Sequence, residues 1–421
     1  MRILLISTTP IRQGCEVLGL PSNYYGAGWV EGVVEYLSTD NDIYMLFLYY
    51  GLNEIKKESH GKITYIALPM ANRSFADMGK DTMLPQYLSG IDDQIHPEIV
   101  QMFGTETPVT QTVISVFGAE RTVVHLTGLV GPYSCHYTGG LTDKETRNQT
   151  IRDVLKGGIK HDQRIFERNA VPEAQAIRDC KYVIGRTTWD RACAEQINRD
   201  IRYFHCDEML RNVFYTSELN YEGCQKHSIF VSSSAVPLKG FHKVLDAMPL
   251  ILSRFPDAQL IVTGRDVTNV DTLKDRLKLT SYGKLLAKRV KKHHLDGHLH
   301  FVGSLNADGM VEQYLNANVY VLPSNIENSP NSLGEAMLLG VPCVAAYVGG
   351  IPDMLADKKE GFLYPYDEPY MLAYYVCTLF ENQDMAVQMG KNARARALDT
   401  HDREKITRQL NCIYKEIVEN K

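Results

Sequence analysis

What most constrains this chain is an alternation of short apolar runs with amphipathic stretches that proceeds through its first half, breaks off, and then starts again. RILLIS at 2–7 is followed by a loop and by WVEGVVEYL at 29–37. Further apolar runs recur at IYMLFLYY (43–50), KITYIALPM (62–70), EIVQMF (98–103), RTVVHL (121–126) and KYVIG (181–185). Runs this short, separated by helical or polar segments, are expected of strands threaded by crossover helices. After an irregular stretch at 212–227 the pattern resumes with HSIFVSSS, GFHKVLDAMPLILSRF, AQLIVTG, HLHFVG, VYVLP and VPCVAA. The expectation is an α/β chain with two doubly wound, Rossmann-like domains facing across a cleft, residues 1–215 and 216–399, with a C-terminal helix at 400–421 bracing the first.

A length of 421 residues exceeds what one hydrophobic core organises, which agrees with two domains. The net charge of -5 and pI near 6.2 provide no global positive field for a polyanion, so nucleic acid is not an expected partner. IYMLFLYY is too short to span a bilayer, and the apolar stretch 337–352 is cut by Gly and Pro. The N-terminus lacks a small-residue cleavage pattern, so a cytoplasmic protein is expected, with contact to the inner face of the membrane left open. Nine cysteines fall singly with no Cys-x-x-Cys pair, which favours neither a disulfide framework nor a zinc site.

The most informative stretch is VYVLPSNIENSPNSLGEAMLLGVPCVAA at 319–346, which reads as strand, loop, helix, strand. Ser329 suits an N-cap, Pro330 the first helical position and Gly340 the left-handed residue after the last turn, predicting a helix over 330–339. Its N-terminus then points to the carboxyl end of a parallel strand. Unpaired backbone N–H groups of Asn331, Ser332 and Leu333 would form an anion site there. Glu327 lies on the loop before this helix and Glu335 in its second turn, so both can face one ligand. The plain alternative is that Glu327 complements the helix dipole and Glu335 is a solvated face residue. Lys239, delivered with Gly240 by the loop after HSIFVSSS, would add a point charge suited to a diphosphate at the same sheet edge.

Taken with VGGIPD (348–353), PLKG (237–240) and IVTG (261–264), the segment IENSPNSLGEAMLLGVP resembles the C-terminal half of retaining glycosyltransferases of family 4, which have the GT-B fold. The N-terminal half is similar more loosely, through YYGAGW (24–29), EIVQMFGTE (98–106) and IGRTTWDRA (184–192). The resemblance implies a hexosyltransferase using a nucleotide-sugar donor, UDP- or GDP-linked, with no cofactor and no metal. A saccharide or lipid-linked acceptor in bacterial surface polysaccharide synthesis would receive the sugar. It implies catalytic roles for Lys239 at the diphosphate and Glu327 by the donor sugar. Glu335 would hydrogen-bond the ribose, and Asn331, Ser332 and Leu333 would hold phosphate. Gly26, Gly28, Arg186, Gly264 and Arg265 complete the donor side, and His136 is the candidate at the acceptor.

Two departures from the family pattern stand out. Ser233 and Ser234 occupy the place where many relatives carry an arginine before the diphosphate lysine. Thr127 takes the place of an acceptor-side histidine, with His125 two residues earlier. These leave two alternatives open: a catalytically silent binding subunit of a glycosyltransferase complex, and a sugar-nucleotide epimerase of similar shape. A stripe of Arg152, Lys156, Lys160, Arg164 and Arg168, interleaved with Ile151, Leu155, Ile159 and Phe166, predicts peripheral membrane contact or, as the alternative, a solvated face.

Overall fold

The computed structural model describes residues 1–21, 28–71, 81–270 and 272–420. Their tertiary contacts form two compact units, Met1–Pro132 with Glu167–Arg211 and Thr400–Lys421, and Tyr133–Phe166 with Asn212–Asp399.

Unit 1 is built on an eight-stranded sheet. Its strands are β1 (Arg2–Ser7), β2 (Asp42–Tyr50), β3 (Lys56–His60), β4 (Ile63–Met70), β5 (Ile99–Phe103), β6 (Thr122–His125), β7 (Tyr182–Gly185) and β8 (Arg202–His205). Their spatial order is β3-β4-β2-β1-β5-β6-β7-β8, parallel throughout except for the β3–β4 hairpin. The short apolar runs become strands because helices cover both faces, so successive side chains enter different cores. Along β1, Ile3 and Leu5 join one buried cluster while Leu4 and Ile6 join another. The helix Arg403–Glu419 belongs to this unit, and its Ile406, Leu410, Ile413, Tyr414 and Ile417 form an apolar stripe buried with Val30, Val33 and Val34 of the helix Gly28–Leu37. The sequence patterning did not mark β3, which is polar and nearly all exposed, nor the short β8.

Unit 2 carries a six-stranded, all-parallel sheet: β9 (Gln225–Val231), β10 (Gln259–Val262), β11 (Leu299–Phe301), β12 (Ala317–Leu322), β13 (Cys343–Ala346) and β14 (Phe362–Tyr364), in the order β11-β10-β9-β12-β13-β14. The chain builds outward from β9 to β11 and then returns to the other side of β9 with β12. The loops after β9 and β12 therefore leave the sheet in opposite directions, the arrangement that opens a binding crevice at the strand carboxyl ends.

Residues 133–166 group with unit 2 through specific ties. The Glu145 carboxylate pairs with Arg289 at 3.1 Å, Asp153 accepts the Ser281 N–H at 2.6 Å, and the Thr150 hydroxyl donates to the Leu279 carbonyl at 2.7 Å. The predicted basic stripe is not one helix. Gly157 adopts φ 84° and, with Gly158, divides the segment into helices Ile151–Lys156 and Ile159–Asp179. The positive φ suits glycine and ends the first helix, so the two halves of the stripe do not share one face. Phe166 packs its ring on Tyr137 at 4.9 Å between centroids.

Candidate functional site

The loop after β9 turns through a short 3-10 segment, Pro237–Lys239, into the helix Phe241–Leu252. The turn is made by Gly240 at φ 68°, where an added Cβ would fall 1.8 Å from the Pro323 carbonyl oxygen. Only glycine lets the two loops approach this closely. Asn325 locks the approach: its N–H donates to the Leu238 carbonyl at 2.9 Å, and its side-chain amide donates to the Pro237 carbonyl at 2.9 Å. The buried Lys243 ammonium in turn donates to the Asn325 side-chain oxygen and lies 4.0 Å over the Tyr366 ring. Burial pulls the Lys243 ammonium down to about 8.

This clamp brings Lys239 to Glu327. Lys239 Nζ lies 2.5 Å from Glu327 Oε1, with the lysine side chain 36% exposed and the glutamate 8% exposed. The Ser324 hydroxyl donates to the same oxygen at 2.7 Å. Both contacts fall on Oε1, so the carboxylate is held from one side. Its backbone is fixed as well, since the Gly350 N–H donates to the Glu327 carbonyl at 3.0 Å and Gly349 approaches too closely for any side chain. A cation with one exposed flank beside a desolvated carboxylate suits recognition of an anionic group next to a polyol.

The following helix is Asn331–Leu339, one residue later than the sequence predicts. Pro330 occupies the cap position with ψ 118°, so extended geometry persists through the proline and Ser329 lies before the cap. Gly340 closes the helix at φ 76°, as expected. A second correction concerns Leu333, whose N–H donates to the Pro330 carbonyl at 3.0 Å and so is not an unpaired donor. Ser332 is fixed by two buried tyrosines: the Tyr314 hydroxyl donates to its carbonyl at 2.8 Å, and Tyr320 contacts its side chain. Tyr320 also shares a 2.8 Å hydrogen bond with Ser232 on the loop after β9. Glu335 is buried in the second turn, 5% exposed.

Other candidates are distributed differently. Gly264 ends β10 with φ 97° and its N–H donates to the Gly303 carbonyl at 2.8 Å. Arg265 lines a basic pocket of about 400 Å³ together with Arg152, Lys156 and Lys278. His136 lies exposed in the last turn of the helix Val130–His136. Three residues on, Gly139 packs against the Pro237 carbonyl and its own carbonyl accepts from His242 at 3.0 Å. Gly26 lies outside the described residues. Gly28 opens the helix Gly28–Leu37 in unit 1, where a Cβ would meet the Arg211 side chain at 2.9 Å. Arg186, expected on the donor side, is buried in unit 1 and pairs with Glu208 at 2.8 Å. The other Glu208 oxygen lies 3.2 Å from His125. That pairing makes Arg186 part of a desolvated charge network rather than an exposed phosphate contact.

Sequence reasoning missed Tyr133, whose hydroxyl accepts the Asn328 N–H at 2.8 Å, and the Lys243–Asn325 clamp. Lys243 sits one turn after Lys239, a spacing that could have drawn notice. In unit 1 the Thr127 hydroxyl, just after β6, donates to Glu106, just after β5, at 2.5 Å, so the residue in the histidine's place is engaged by a carboxyl group whose pKa burial raises. Nearby Glu173 accepts the Val130 and Gly131 N–H groups at 2.9 and 2.8 Å, yet burial pushes it up to about 7.

Comparison with known proteins accords with this geometry. Residues 223–396 match the family described as Glycosyl transferases group 1. Phosphatidyl-myo-inositol mannosyltransferase of Mycobacterium tuberculosis is 31% identical over 149 residues, 35% of each chain. N-acetyl-alpha-D-glucosaminyl L-malate synthase of Bacillus anthracis is 29% identical over 129 residues, 31% of this chain and 33% of that protein. These alignments span about a third of each curated relative's length. Among solved structures, sucrose-phosphate synthase from Thermosynechococcus elongatus superposes over 100% of both chains with TM-score 0.73 at 16% identity. Anabaena HepE in complex with UDP-glucose covers 99% of this chain and is itself covered fully, with TM-score 0.67 at 17% identity. Residues 223–396 are thus similar to the glycosyl transferases group 1 family, and over its length the chain has the GT-B fold.

Proposed function

We propose that the chain is a retaining glycosyltransferase that moves a hexose from a UDP- or GDP-linked donor to a saccharide or lipid-linked acceptor, in the synthesis of a bacterial surface polysaccharide. The observation that carries this reading is the Lys239–Glu327 contact at the carboxyl ends of β9 and β12, beside the start of the helix Asn331–Leu339. Two similar proteins support the reading by what they are named for: a phosphatidyl-myo-inositol mannosyltransferase, which fits transfer of a hexose to a lipid-linked acceptor, and a protein solved with UDP-glucose, which fits a nucleotide-sugar donor.

Breaking a sugar–phosphate bond leaves an oxocarbenium-like centre and a nucleoside diphosphate with growing negative charge. In this reading Lys239 and the N–H groups of Asn331 and Ser332 stabilise that charge without a metal. Glu335 accepts the ribose hydroxyls, because an ionised acceptor makes stronger hydrogen bonds than a neutral one. Glu327 flanks the donor sugar and orients Lys239. Gly264 and Gly28 offer close backbone approach, Arg265 adds charge on the donor side, and His136 serves the acceptor.

A thermal-shift screen with UDP, GDP, ADP and their sugars tests the proposal, since a ligand at a hundred times its Kd stabilises by about 2.7 kcal/mol. One nucleotide class is expected to shift the melting temperature, and the matching sugar nucleotide to be slowly hydrolysed or transferred. No shift with any nucleotide would defeat the reading. Tight binding with neither hydrolysis nor transfer would favour a silent binding subunit, and an altered sugar nucleotide formed without acceptor would favour an epimerase.

A further inference from the structure

Within unit 2, two short helices, Ile151–Lys156 and Leu273–Lys278, pack side by side. They leave apolar side chains in solvent: Leu155 is 78% exposed and Leu273 75%, with Ile151, Val154 and Leu277 also more than half exposed. Isolated exposed leucines are ordinary, but five on two adjoining helices form a patch of the kind soluble surfaces avoid.

The charge around this patch is arranged with equal consistency. Arg152, Lys156, Arg265 and Lys278 line the adjoining pocket of about 400 Å³. Each nearby described carboxylate is consumed by local backbone or hydroxyl donors. Asp153 caps through the Thr150 N–H at 3.3 Å and takes the Ser281 N–H; Asp275 accepts the Thr272 hydroxyl at 2.5 Å; Asp266 accepts from both the N–H and the hydroxyl of Thr268 at 2.8 and 2.7 Å. Arg152 is tied to Asp153 at 3.1 Å, whereas Lys156, Arg265 and Lys278 form no ion pair among the described residues. Asp153 is buried as a cap, Asp275 and Asp266 are held by their neighbouring threonines, and the cations lie outward, in a chain whose net charge is -5.

We propose that this plate docks the protein on a bilayer bearing anionic lipid headgroups. Leucine and isoleucine side chains would enter the headgroup–acyl boundary, while Lys156 and Lys278 would neutralise phosphates. Apolar side chains ringed by basic groups have the composition of an interfacial surface. The Thr150–Leu279 and Asp153–Ser281 hydrogen bonds hold the helices to each other and to the segment after them, so the plate is already formed before contact. The apolar half of the predicted stripe contributes through Ile151 and Leu155, and its charged half ends at Lys156 because the helix ends there. The proposal does not depend on catalysis, since its readout is vesicle binding.

The test is co-sedimentation of the full chain with phosphatidylcholine vesicles, with and without phosphatidylglycerol. Binding is expected only with the anionic lipid and should fall as salt rises. Lys156→Gln and Lys278→Gln should each weaken it by about fivefold, corresponding to the loss of about one elementary charge near the surface. Leu155→Ser with Leu277→Ser should release the protein while leaving its thermal unfolding and nucleotide-induced thermal shift unchanged, because both side chains are exposed. No binding at low salt, equal binding to neutral vesicles, or binding unaffected by these substitutions would overturn the proposal. So would a concentration-dependent dimer that the leucine substitutions abolish and that does not bind vesicles, since a second copy would then be the occupant.

Discussion

The two sheets share one architecture yet treat charge at their carboxyl edges in opposite ways. At the edge of unit 1, Arg186 pairs with Glu208 out of solvent beside His125, and Glu106 is held by Thr127. At the edge of unit 2, Lys239 keeps a flank in water while Glu327 is secured on one oxygen. A doubly wound sheet therefore supplies the position, and side-chain pairing decides whether that position remains available to a ligand.

The sharpest way to break this comparison is Arg186→Ala. It strands Glu208 inside unit 1, and a broken buried pair costs about 3–5 kcal/mol, to be read as a lowered denaturation midpoint with donor affinity preserved. Lost donor affinity with intact stability would return Arg186 to the donor site. Lys239→Ala should do the reverse, lowering kcat by roughly two to three orders of magnitude with little change in unfolding.

Much of this contrast was legible in the sequence. The strands β1, β2, β4 and β9 announced themselves by apolar runs, and Lys239, Glu327 and the helix after Pro330 by their place after such runs. The pairing of Arg186 was not legible, because Glu208 lies 22 positions away and nothing local signals that strands β7 and β8 bring them together. Residues 133–166 were equally opaque, since their ties to Ser281, Leu279 and Arg289 are long-range polar contacts rather than a periodic pattern. The helix began one residue late because the extended ψ at Pro330 outweighed the usual preference for proline at the first helical position.

Glu335→Ala is a smaller perturbation and sharpens the donor half of the comparison. It should weaken nucleotide binding by about tenfold to a hundredfold, as loss of hydrogen bonds to a charged acceptor does, measured by titration calorimetry. Smaller again is the pH effect of the buried histidines. Burial drives His242 of unit 2 down to about 3 and His401 of unit 1 down to about 4. Each is neutral when folded, so its contribution is complete above the unfolded value near 6.5 and is lost as pH falls toward the folded value. Glu173 in unit 1 works in the other direction: its contribution is complete below the ordinary carboxyl range and is lost as pH rises through about 7. Acidification from pH 7 to 5 should therefore cost unit 2 about 2 kcal/mol through His242, while in unit 1 the gain at Glu173 offsets the loss at His401. His242→Gln should flatten the acid limb of the unfolding curve; a limb of unchanged slope would assign the pH sensitivity elsewhere.

The apolar stripe of the helix Arg403–Glu419 fills part of the core beneath β1 and β5, although those strands are made some three hundred residues earlier or more. Without that helix unit 1 would expose Val30, Val33 and Phe103, whereas unit 2 takes none of its residues from beyond Asp399. A premature stop near residue 400 would therefore leave the later-written half intact and its elder partner hollow.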